Sequence, residues 1–441
     1  MKPGRRLIPA AVAALASAAI LAVPSAAAPN VATTASPQVA LDWNLNAVNI
    51  VRGATVPLPK FQIEGLIHMS YVQAAVYDAT TKIEGRYAPY HDFAVDPSIV
   101  ANASPEAAII AAAYTTLAYY FSDQPATLLD PLKAQYDAAL AALPDQGEAE
   151  GVAVGQAAAN DIIALRANDG RNAPITFTPG PPGPGVWQFA PPPSLQFAQT
   201  PWVAFMKPFM LQAASQFRSD PPPALSSTQW AEGFNEVKAY GAANSTVRTP
   251  AQTAVGLFWN AHVINQYNQA FRELAVQHGF DLVDTVRLLA MGNLVGADAG
   301  IGCLESKYHY AFWRPVTAIR SADIDGNPLT QPDPTWTPLL TTPNHPEYPG
   351  AHGCITGAEA EVFAAALGTN QIEVDIHGSA NGAAGNFDAV RHFDRVNDLT
   401  HEIIDARTWA GLHYRWSSVQ GVILGHKTAH WALQRFFLLA Q

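Results

Sequence analysis

Apolar side chains recur at helical spacing along most of this 441-residue chain. In residues 61–82, for example, Leu66, Met69, Val72 and Val76 lie three or four positions apart, which puts them on one face of a helix. Few stretches show the period of two that a half-buried strand requires. We therefore predict an all-α fold, either one multi-helix bundle or two packed four-helix bundles, with long irregular loops.

Local start and stop signals divide this pattern into segments. Ser104 can cap a helix that runs to Tyr120, with Glu106 in its first turn. We predict further helices over 61–82, 128–143, 149–166, 227–240 and 249–278, and another from Leu282 onward. Residues 178–193 are rich in proline and glycine and predict an irregular loop, because proline removes the donors that helices and sheets need. A loop this long is either functional, such as a lid or pocket wall, or a linker.

The first 28 residues have the pattern of a secretory signal peptide. A basic start precedes an apolar stretch from Leu7 to Val23 and a run of alanines that offers a cleavage site. A membrane anchor is the weaker alternative, because Pro24 lies where a span would continue. No other window supplies the roughly 18 consecutive apolar residues of a stable membrane span. We therefore predict a secreted protein in which residues 29–441 form a single large helical domain.

The rest of the chain is acidic. Removing the three cations of the first 28 residues leaves 22 Lys and Arg against 36 Asp and Glu, which lowers the net charge from −11 to −14. Nucleic acids and anionic membranes favour basic patches, so we expect neither as a partner. The two cysteines, Cys303 and Cys354, are too few for a disulfide-rich scaffold or a four-cysteine zinc site.

Cations and histidines gather in three segments of the last third. In the first, Lys307 and Arg314 are seven residues apart, so two helical turns would put them on one face, and Pro315 would end that helix. In the second, residues 344–353, His352 precedes an apolar helical run. It would then lie at a helix N-terminus, where free N–H groups and the helix dipole favour anions. Taken singly, these segments could equally be a solvated basic face and a packing histidine.

The third segment holds Arg407 and His413. Six residues separate them by about 240° on a straight helix, so they meet at one ligand only if the backbone bends, for example at Gly411, or if the long arginine side chain reaches around. Together the three segments supply three cations, which suit a tetrahedral oxyanion, and two histidines. One histidine could act as a ligand or nucleophile and the other as an acid or base.

The three segments resemble the motifs of the vanadium-dependent haloperoxidase and type-2 phosphatidic acid phosphatase superfamily. The order is Lys-x6-Arg-Pro from Lys307, then Pro-x-x-His ending at His352, then Arg-x5-His ending at His413. The likeness covers roughly Lys307 to Ser417, within a site region of 303–417. Any single piece is weak, but the agreement of order and spacing is specific.

The resemblance implies a vanadate site, which phosphate could also occupy, with no haem or flavin. The residues that would bind the oxyanion are Lys307, Arg314, Gly350, Ala351 and Arg407. His413 would be the vanadium ligand of a haloperoxidase or the nucleophile of a phosphatase. His352 would be the acid or base, and Lys307 would polarise hydrogen peroxide.

This sequence departs from the superfamily's motifs at three positions. Gly350 stands where a serine hydroxyl usually binds the oxyanion, and Ala406 stands where the third motif usually opens with serine. Ser417 replaces an aspartate that in many members orients the ligand histidine. The last change weakens the phosphatase interpretation, since a nucleophilic histidine needs a carboxylate partner. Asp405 or Glu402 could substitute for it.

Three functions are consistent with this pattern. The favoured one is a secreted vanadium-dependent haloperoxidase that oxidises halide with hydrogen peroxide, and the alternatives are a metal-free acid phosphatase and a non-catalytic oxyanion-binding relative. His345 lies where algal bromoperoxidases have histidine and the fungal chloroperoxidase type has phenylalanine, which favours bromide or iodide over chloride. The organic acceptor is not identified, and the resemblance alone implies a homo-oligomer. Cys303 and Cys354 flank the site, either as a disulfide or as two buried thiols.

Overall fold

A computed structural model of the protein describes residues 35–191 and 194–441. The signal peptide predicted over 1–28 lies outside these residues. In chain order the helices are α1 (Gln38–Gly53), α2 (Gln62–Glu84), α3 (Pro97–Val100), α4 (Pro105–Tyr120), α5 (Ala126–Ala141), α6 (Glu148–Leu165), α7 (Thr228–Tyr240), α8 (Pro250–Phe258), α9 (Val263–Gln277), α10 (Leu282–Tyr310), α11 (Pro315–Arg320), α12 (Ala351–Leu367), α13 (Val396–Trp409) and α14 (Arg415–Leu433). Short 3-10 turns cover Pro201–Phe205 and Ala322–Ile324.

The all-α prediction is confirmed, with one exception in the described chain. An antiparallel hairpin of β1 (Gln371–Gly378) and β2 (Ala389–Arg395) lies between α12 and α13. In β1, Ile372, Val374 and Ile376 are buried and alternate with exposed residues, which is the period-two signal of a half-buried strand. This strand was not predicted, because its eight-residue pattern is short beside the helices around it.

The predicted helix over 249–278 is two helices, α8 and α9. The break lies at residues 259–262, where His262 has an extended backbone and its N–H donates to the carbonyl of Ala384, 3.1 Å away. The side-chain amide of Asn260 donates to the carbonyl of Gly382 in the same connection. Contacts with the hairpin loop therefore replace the intrahelical bonds that a continuous helix would have made.

The central helix is α10, which is buried along almost its whole length. Its most apolar window is hydrophobic and long enough to cross a membrane, but 94% of that window is buried inside the protein, as expected of a core helix. The helix packs against α2, α9, α12 and α14. The end of α10 and the start of α12 therefore have fixed positions relative to each other.

The expected arrangement of Lys307 and Arg314 on one helical face is wrong. Helix α10 ends at Tyr310, because Ala311 adopts a left-handed conformation with φ 44°. Arg314 has an extended backbone, as is typical of a residue before proline. Pro315 begins α11 and does not end a helix, because a first-turn position needs no N–H donor.

The proline-rich segment predicted as an irregular loop contains no helix or strand in its described part. It runs alongside the turn between α10 and α11. Trp187 donates its N–H to the carbonyl of Ala311 at 2.7 Å, and Trp313 donates to the carbonyl of Gly185 at 3.0 Å. The loop therefore fixes the extended segment that carries Arg314.

Helices α12 and α14 pack so closely that glycine is required at their contact. A Cβ on Gly353 would lie 2.5 Å from the carbonyl oxygen of Ser418, and one on Gly421 would lie 2.3 Å from that of Gly350. Gly425 has the same relation to the carbonyl of Cys354, at 2.2 Å. These contacts are between backbones, so no rearrangement of side chains could make room. The start of α12 is thus held against the start of α14.

Aromatic residues form a second apolar cluster beside these helix starts. Trp230 of α7 stacks on Trp313 with ring centroids 5.8 Å apart, and Tyr414 stacks on Trp416 at 4.9 Å. Tyr348 lies 5.5 Å from Trp416. Each of the three motif segments contributes at least one ring, so the cluster connects them through large buried contacts.

Asp298 anchors the chain after the first 3-10 turn to α10. Its buried carboxylate accepts the backbone N–H groups of Phe209, Met210 and Leu211 at 2.6, 2.8 and 2.9 Å. We predict that Asp298→Ala lowers the free energy of unfolding by about 3 kcal/mol or more, because three buried donors lose their acceptor. Urea unfolding followed by circular dichroism measures this change.

The control is Asp130→Ala, which removes an exposed carboxylate from α5. It should change the free energy of unfolding by less than about 0.5 kcal/mol. Equal unfolding midpoints for the two variants would contradict the role given to Asp298.

Candidate functional site

A pocket at the start of α12 collects residues from the second and third motif segments. Its lining comprises Phe61, Gln62, Ile63, Asn260, Pro343, His345, Ala351, His352, Ile355, Arg407 and His413. Four of the residues selected from the sequence as polar site groups, His345, His352, Arg407 and His413, therefore face one space. Lys307 and Arg314 lie directly behind this lining.

Arg407 and His413 meet because the backbone turns between them, as predicted. Helix α13 ends at Trp409, and Gly411 has a φ of 78°, a conformation that side chains disfavour. A Cβ there would also lie 2.4 Å from the carbonyl of Gly241. The His413 N–H donates to the carbonyl of Arg407 at 3.3 Å, which closes the turn.

Glu347 is the partner of His413. Its Oε1 lies 2.7 Å from His413 Nδ1 and also accepts the backbone N–H of Tyr414 at 3.2 Å. Both side chains are buried. Burial raises the pKa of Glu347 to about 7, against the opposing effect of the charges on Lys307 and Arg314. Glu347 lies within the second motif segment, and its role was not inferred from the sequence.

Arg314 lies between two histidines. It donates through Nε to the carbonyl of His345 at 2.9 Å and through one terminal nitrogen to the carbonyl of Leu412 at 3.0 Å. The same nitrogen is 3.3 Å from His413 Nε2, and the other is 3.1 Å from His345 Nδ1. Burial lowers the pKa of Arg314 to about 10, so the guanidinium stays charged at neutral pH.

Lys307 binds the segment that precedes α12. Its ammonium group donates to the carbonyls of Pro346 at 3.2 Å and Glu347 at 2.7 Å, and also to that of Pro349. Burial lowers its pKa to about 8. The structure thus places Lys307 behind the pocket wall, where its charge acts on the site while its donors hold the loop.

Arg407 has a free donor at the pocket. One terminal nitrogen donates to the carbonyl of Trp259 at 3.0 Å, whereas Nε is buried with no acceptor among residues 35–191 and 194–441. Burial, together with the charge of Arg314, lowers the pKa of Arg407 to about 9, so this group also stays charged. The loss of solvation is costly unless an anion binds there.

His352 is the second residue of α12, at the helix N-terminus that the sequence predicts. The residue is partly exposed, but its Nε2 is buried with no partner within the described chain. Desolvation and the positive charges of Arg407 and Lys307 hold its pKa well below the usual value, so the ring is neutral. The N–H of Ala351 in the same first turn has no intrahelical acceptor.

All three cations influence His413. Burial lowers the pKa of His413 well below its usual value, and the charges of Arg314, Lys307 and Arg407 lower it further. The pKa of His345 is lowered in the same way, by burial and then by Arg314. The charges of all three motif cations therefore act on His413.

Cys303 and Cys354 are free buried thiols in the structure. They lie beside each other, since the Cys303 thiol contributes, after burial, to raising the pKa of Cys354. Cys303 Sγ is 3.8 Å from the carbonyl of Pro349, which also accepts from Lys307. The disulfide alternative is thus not the state observed, although the two residues are neighbours.

A protein-family model matches the part of the chain that carries these residues. It is described as the VCPO second helical-bundle domain, and the match covers residues 287–441. Vanadium chloroperoxidase from Curvularia inaequalis is 29% identical over 269 residues, which are 46% of this chain and 44% of that protein. Vanadium-dependent bromoperoxidase from Ascophyllum nodosum is 27% identical over 168 residues, 34% of this chain and 28% of that protein. The chain spans less than half the length of these curated relatives.

Solved structures share the fold. A bacterial vanadium-dependent iodoperoxidase superposes with a TM-score of 0.76 at 19% identity, over 92% of this chain and 98% of that one. The holo form of a bacterial vanadium-dependent chloroperoxidase gives a TM-score of 0.67 at 18% identity, over 85% and 92%. Residues 287–441 are therefore similar to the second helical-bundle domain of vanadium chloroperoxidases, and the chain has the fold of vanadium haloperoxidases.

The departure from the superfamily's motifs at Gly350 has a structural explanation. A Cβ on Gly350 would lie 3.0 Å from Ser418 Cα and 3.1 Å from its hydroxyl oxygen, so a serine here would require α14 to move by a few tenths of an ångström. The N–H of Gly350 donates to the carbonyl of Ser417 at 3.0 Å. The expected binding of an oxyanion by the Gly350 backbone N–H is therefore wrong, whereas Ala351 lines the pocket.

The suggested replacements for the missing aspartate are also wrong. Asp405 forms an ion pair with Arg415 at 2.7 Å. Glu402 binds Arg391 and accepts from the Trp259 ring N–H at 2.9 Å. Both carboxylates belong to other contacts, and Glu347 occupies the position beside His413.

The close contact of α12 and α14 should control the site. We predict that Gly421→Ala lowers the free energy of unfolding by about 1–3 kcal/mol and weakens phosphate binding, although alanine favours helix. The new Cβ would lie 2.3 Å from the carbonyl of Gly350 and push the start of α12 away from His413. Thermal unfolding and calorimetric titration with inorganic phosphate measure the two effects.

Gly385→Ala is the matched control, because a Cβ at Gly385 meets no atom within 4 Å. Its stability and phosphate affinity should equal those of the unaltered protein. An unchanged phosphate affinity in Gly421→Ala would show that this helix contact does not position the site.

Proposed function

We propose that the protein is a vanadium-dependent haloperoxidase, which uses hydrogen peroxide to oxidise halide at a vanadate bound by His413. One observation carries the proposal. Nδ1 of His413 is bound to Glu347, and its Nε2 lies among buried cations, 3.3 Å from a terminal nitrogen of Arg314, while burial and these charges hold the pKa of the ring well below its usual value. A neutral imidazole oriented by a carboxylate is the usual form of a histidine that binds a metal.

The surrounding polar atoms suit a tetrahedral oxyanion. Arg407 Nε and His352 Nε2 are buried polar atoms with no partner in the described residues, and both side chains line the pocket. Arg314 contributes charge at the same histidine nitrogen. An oxyanion of charge about −2 to −3 would offset the buried cations. No haem or flavin is part of the proposal.

When bound, vanadate supplies Lewis-acid activation of hydrogen peroxide toward halide attack. The chain's own residues have separate tasks. Arg407 and Arg314 hold the charge of the oxyanion, and the α12 N-terminus adds N–H donors at Ala351. The neutral His352 ring can accept a proton at Nε2 from a molecule bound in the pocket and can return that proton. Lys307 keeps the segment before α12 in place and adds positive charge.

We propose bromide or iodide as the substrate rather than chloride. His345 lines the pocket, and its ring lies 5.5 Å from Phe61 and 3.1 Å from Arg314. A polar ring beside a cation gives a less apolar pocket than a phenylalanine would. Export by the predicted signal peptide and assembly into a homo-oligomer are further parts of this proposal, and the organic acceptor is left unassigned.

Phosphate-ester hydrolysis is the second candidate, and one observation favours it. The contact between Glu347 and His413 supplies the carboxylate that a nucleophilic histidine requires. The objection raised by Ser417 therefore no longer applies. The same geometry would let His413 Nε2 attack phosphorus without a metal.

The test is a pair of assays on the chain from residue 29. With orthovanadate added, peroxide-dependent bromination of an organic dye should appear, and ester hydrolysis should be weak. His413→Ala should reduce bromination by at least about 100-fold, because loss of a supporting residue alone typically costs 10–100-fold. His401→Ala, which alters an exposed histidine of α13, should leave bromination unchanged.

Different results of the same assays would support the phosphatase or the non-catalytic alternative. Ester hydrolysis that is lost in His413→Ala, with no bromination, would establish the phosphatase. Neither activity, together with phosphate or vanadate binding by calorimetry, would indicate a non-catalytic oxyanion-binding protein. The absence of both activities and of binding would refute all three.

A further inference from the structure

We propose that Glu347 is the positioning residue for His413, replacing the aspartate that the superfamily's third motif usually carries at the position of Ser417. The inference rests on the proposed function, in which His413 is the vanadium ligand. It assigns to this chain a carboxylate from a different segment, 66 residues before the histidine it orients.

The geometry fixes both partners. Glu347 Oε1 is 2.7 Å from His413 Nδ1 and 3.2 Å from the Tyr414 backbone nitrogen, so one oxygen holds the ring and the chain beside it. Glu347 is 0% exposed and His413 is 1% exposed. The carbonyl of Glu347 accepts from the Lys307 ammonium group at 2.7 Å, which immobilises the backbone of the glutamate.

The contact determines which nitrogen of His413 carries the proton. A carboxylate oxygen at 2.7 Å accepts a hydrogen bond from Nδ1–H, so the Nε2 lone pair is directed away from Glu347. The Arg314 guanidinium lies 3.3 Å from that lone pair. His413 is thereby set with its ligating nitrogen beside the cations of the pocket.

Ser417, at the position where the superfamily's motif usually has aspartate, lies close to Glu347. Its buried hydroxyl is close enough to help lower the pKa of Glu347, although neither it nor Glu347 Oε2 forms a well-directed hydrogen bond within the described chain. Ser417 lies in the first turn of α14, four residues after His413. A carboxylate at this position would lie next to Glu347, the residue that contacts His413.

If Glu347 acted only through its charge, removing it would have the opposite effect on vanadate affinity from removing a residue that orients His413. A carboxylate beside an anion site repels the anion, so its removal alone should strengthen the binding of any oxyanion. An orienting role makes a different prediction, because vanadate accepts a bond from His413 Nε2, whereas phosphate binds only through charge and hydrogen bonds. Loss of orientation should then weaken vanadate binding without weakening phosphate binding.

The experiment measures the affinity of the chain from residue 29 for orthovanadate and for inorganic phosphate by calorimetry. In Glu347→Ala we expect vanadate affinity to fall about 10–100-fold, the usual effect of removing a residue that supports a metal-binding histidine. Phosphate affinity should stay the same or rise. Glu232→Ala, at an exposed glutamate of α7, is the control and should change neither affinity.

A rescue variant separates orientation from general support of the fold. In Glu347→Ala/Ser417→Asp we expect vanadate affinity to return to within about threefold of the original value, because the aspartate regains the contact with Nδ1. If Glu347→Ala does not fold, Glu347→Gln keeps the volume and an acceptor oxygen. The glutamine variant should lose part of the vanadate affinity, since the charge is gone.

Failure of this inference is distinguishable from failure of the proposed function. If the unaltered chain binds phosphate but shows no preference for vanadate and no bromination, the proposed function fails first. If it binds vanadate and brominates, the inference is overturned by any of three results. These are equal vanadate affinity in the Glu347 variants, an equal fall for vanadate and phosphate, or no rescue by Ser417→Asp.

Discussion

The structure depends on the burial of three cations around one histidine. Lys307, Arg314 and Arg407 are each at most 1% exposed, and the acceptors of their hydrogen bonds are backbone carbonyls and histidine nitrogens. Carbonyl dipoles offset only part of the lost solvation, and Glu347 is a single carboxylate. The folded chain therefore holds a surplus of buried positive charge that a small anion can compensate. An acidic surface is compatible with this, because the cations are confined to one place.

Such a site needs rigid supports, and each one comes from a different source. The backbone contacts of Gly353, Gly421 and Gly425 set the distance between α12 and α14. The stacked rings around Trp230 connect the three motif segments to one another. The proline-rich loop holds the extended chain that carries Arg314 through two backbone hydrogen bonds. A site of this kind can tolerate buried charge because none of its walls can collapse onto it.

Helical spacing in the sequence predicted most of the architecture, because helices are local. Ser104 and Ser227, for example, cap α4 and α7 through hydrogen bonds to the residue three positions on. The break at His262 was not predictable in this way, since the hairpin loop over 120 residues later determines it. Likewise, a left-handed alanine at position 311 leaves no sequence signal, so Arg314 was assigned to the wrong element. The order of the motifs predicted that the three cations belong to one site. It did not predict which groups accept their hydrogen bonds.

The partner of His413 shows how departures from a motif can be interpreted together. Ser417 alone indicates the loss of a carboxylate, and Glu347 alone is one acid among 36 acidic residues. Glu347 contacts Nδ1 of His413, and the Ser417 hydroxyl lies near Glu347, so the carboxylate that the motif lacks at 417 is supplied from the segment before α12. Gly350 likewise has Ser418 of α14 in close contact with the position that a serine side chain would take. A missing motif residue therefore identifies a physical requirement, and the residues to search are those that the fold brings to the same atom.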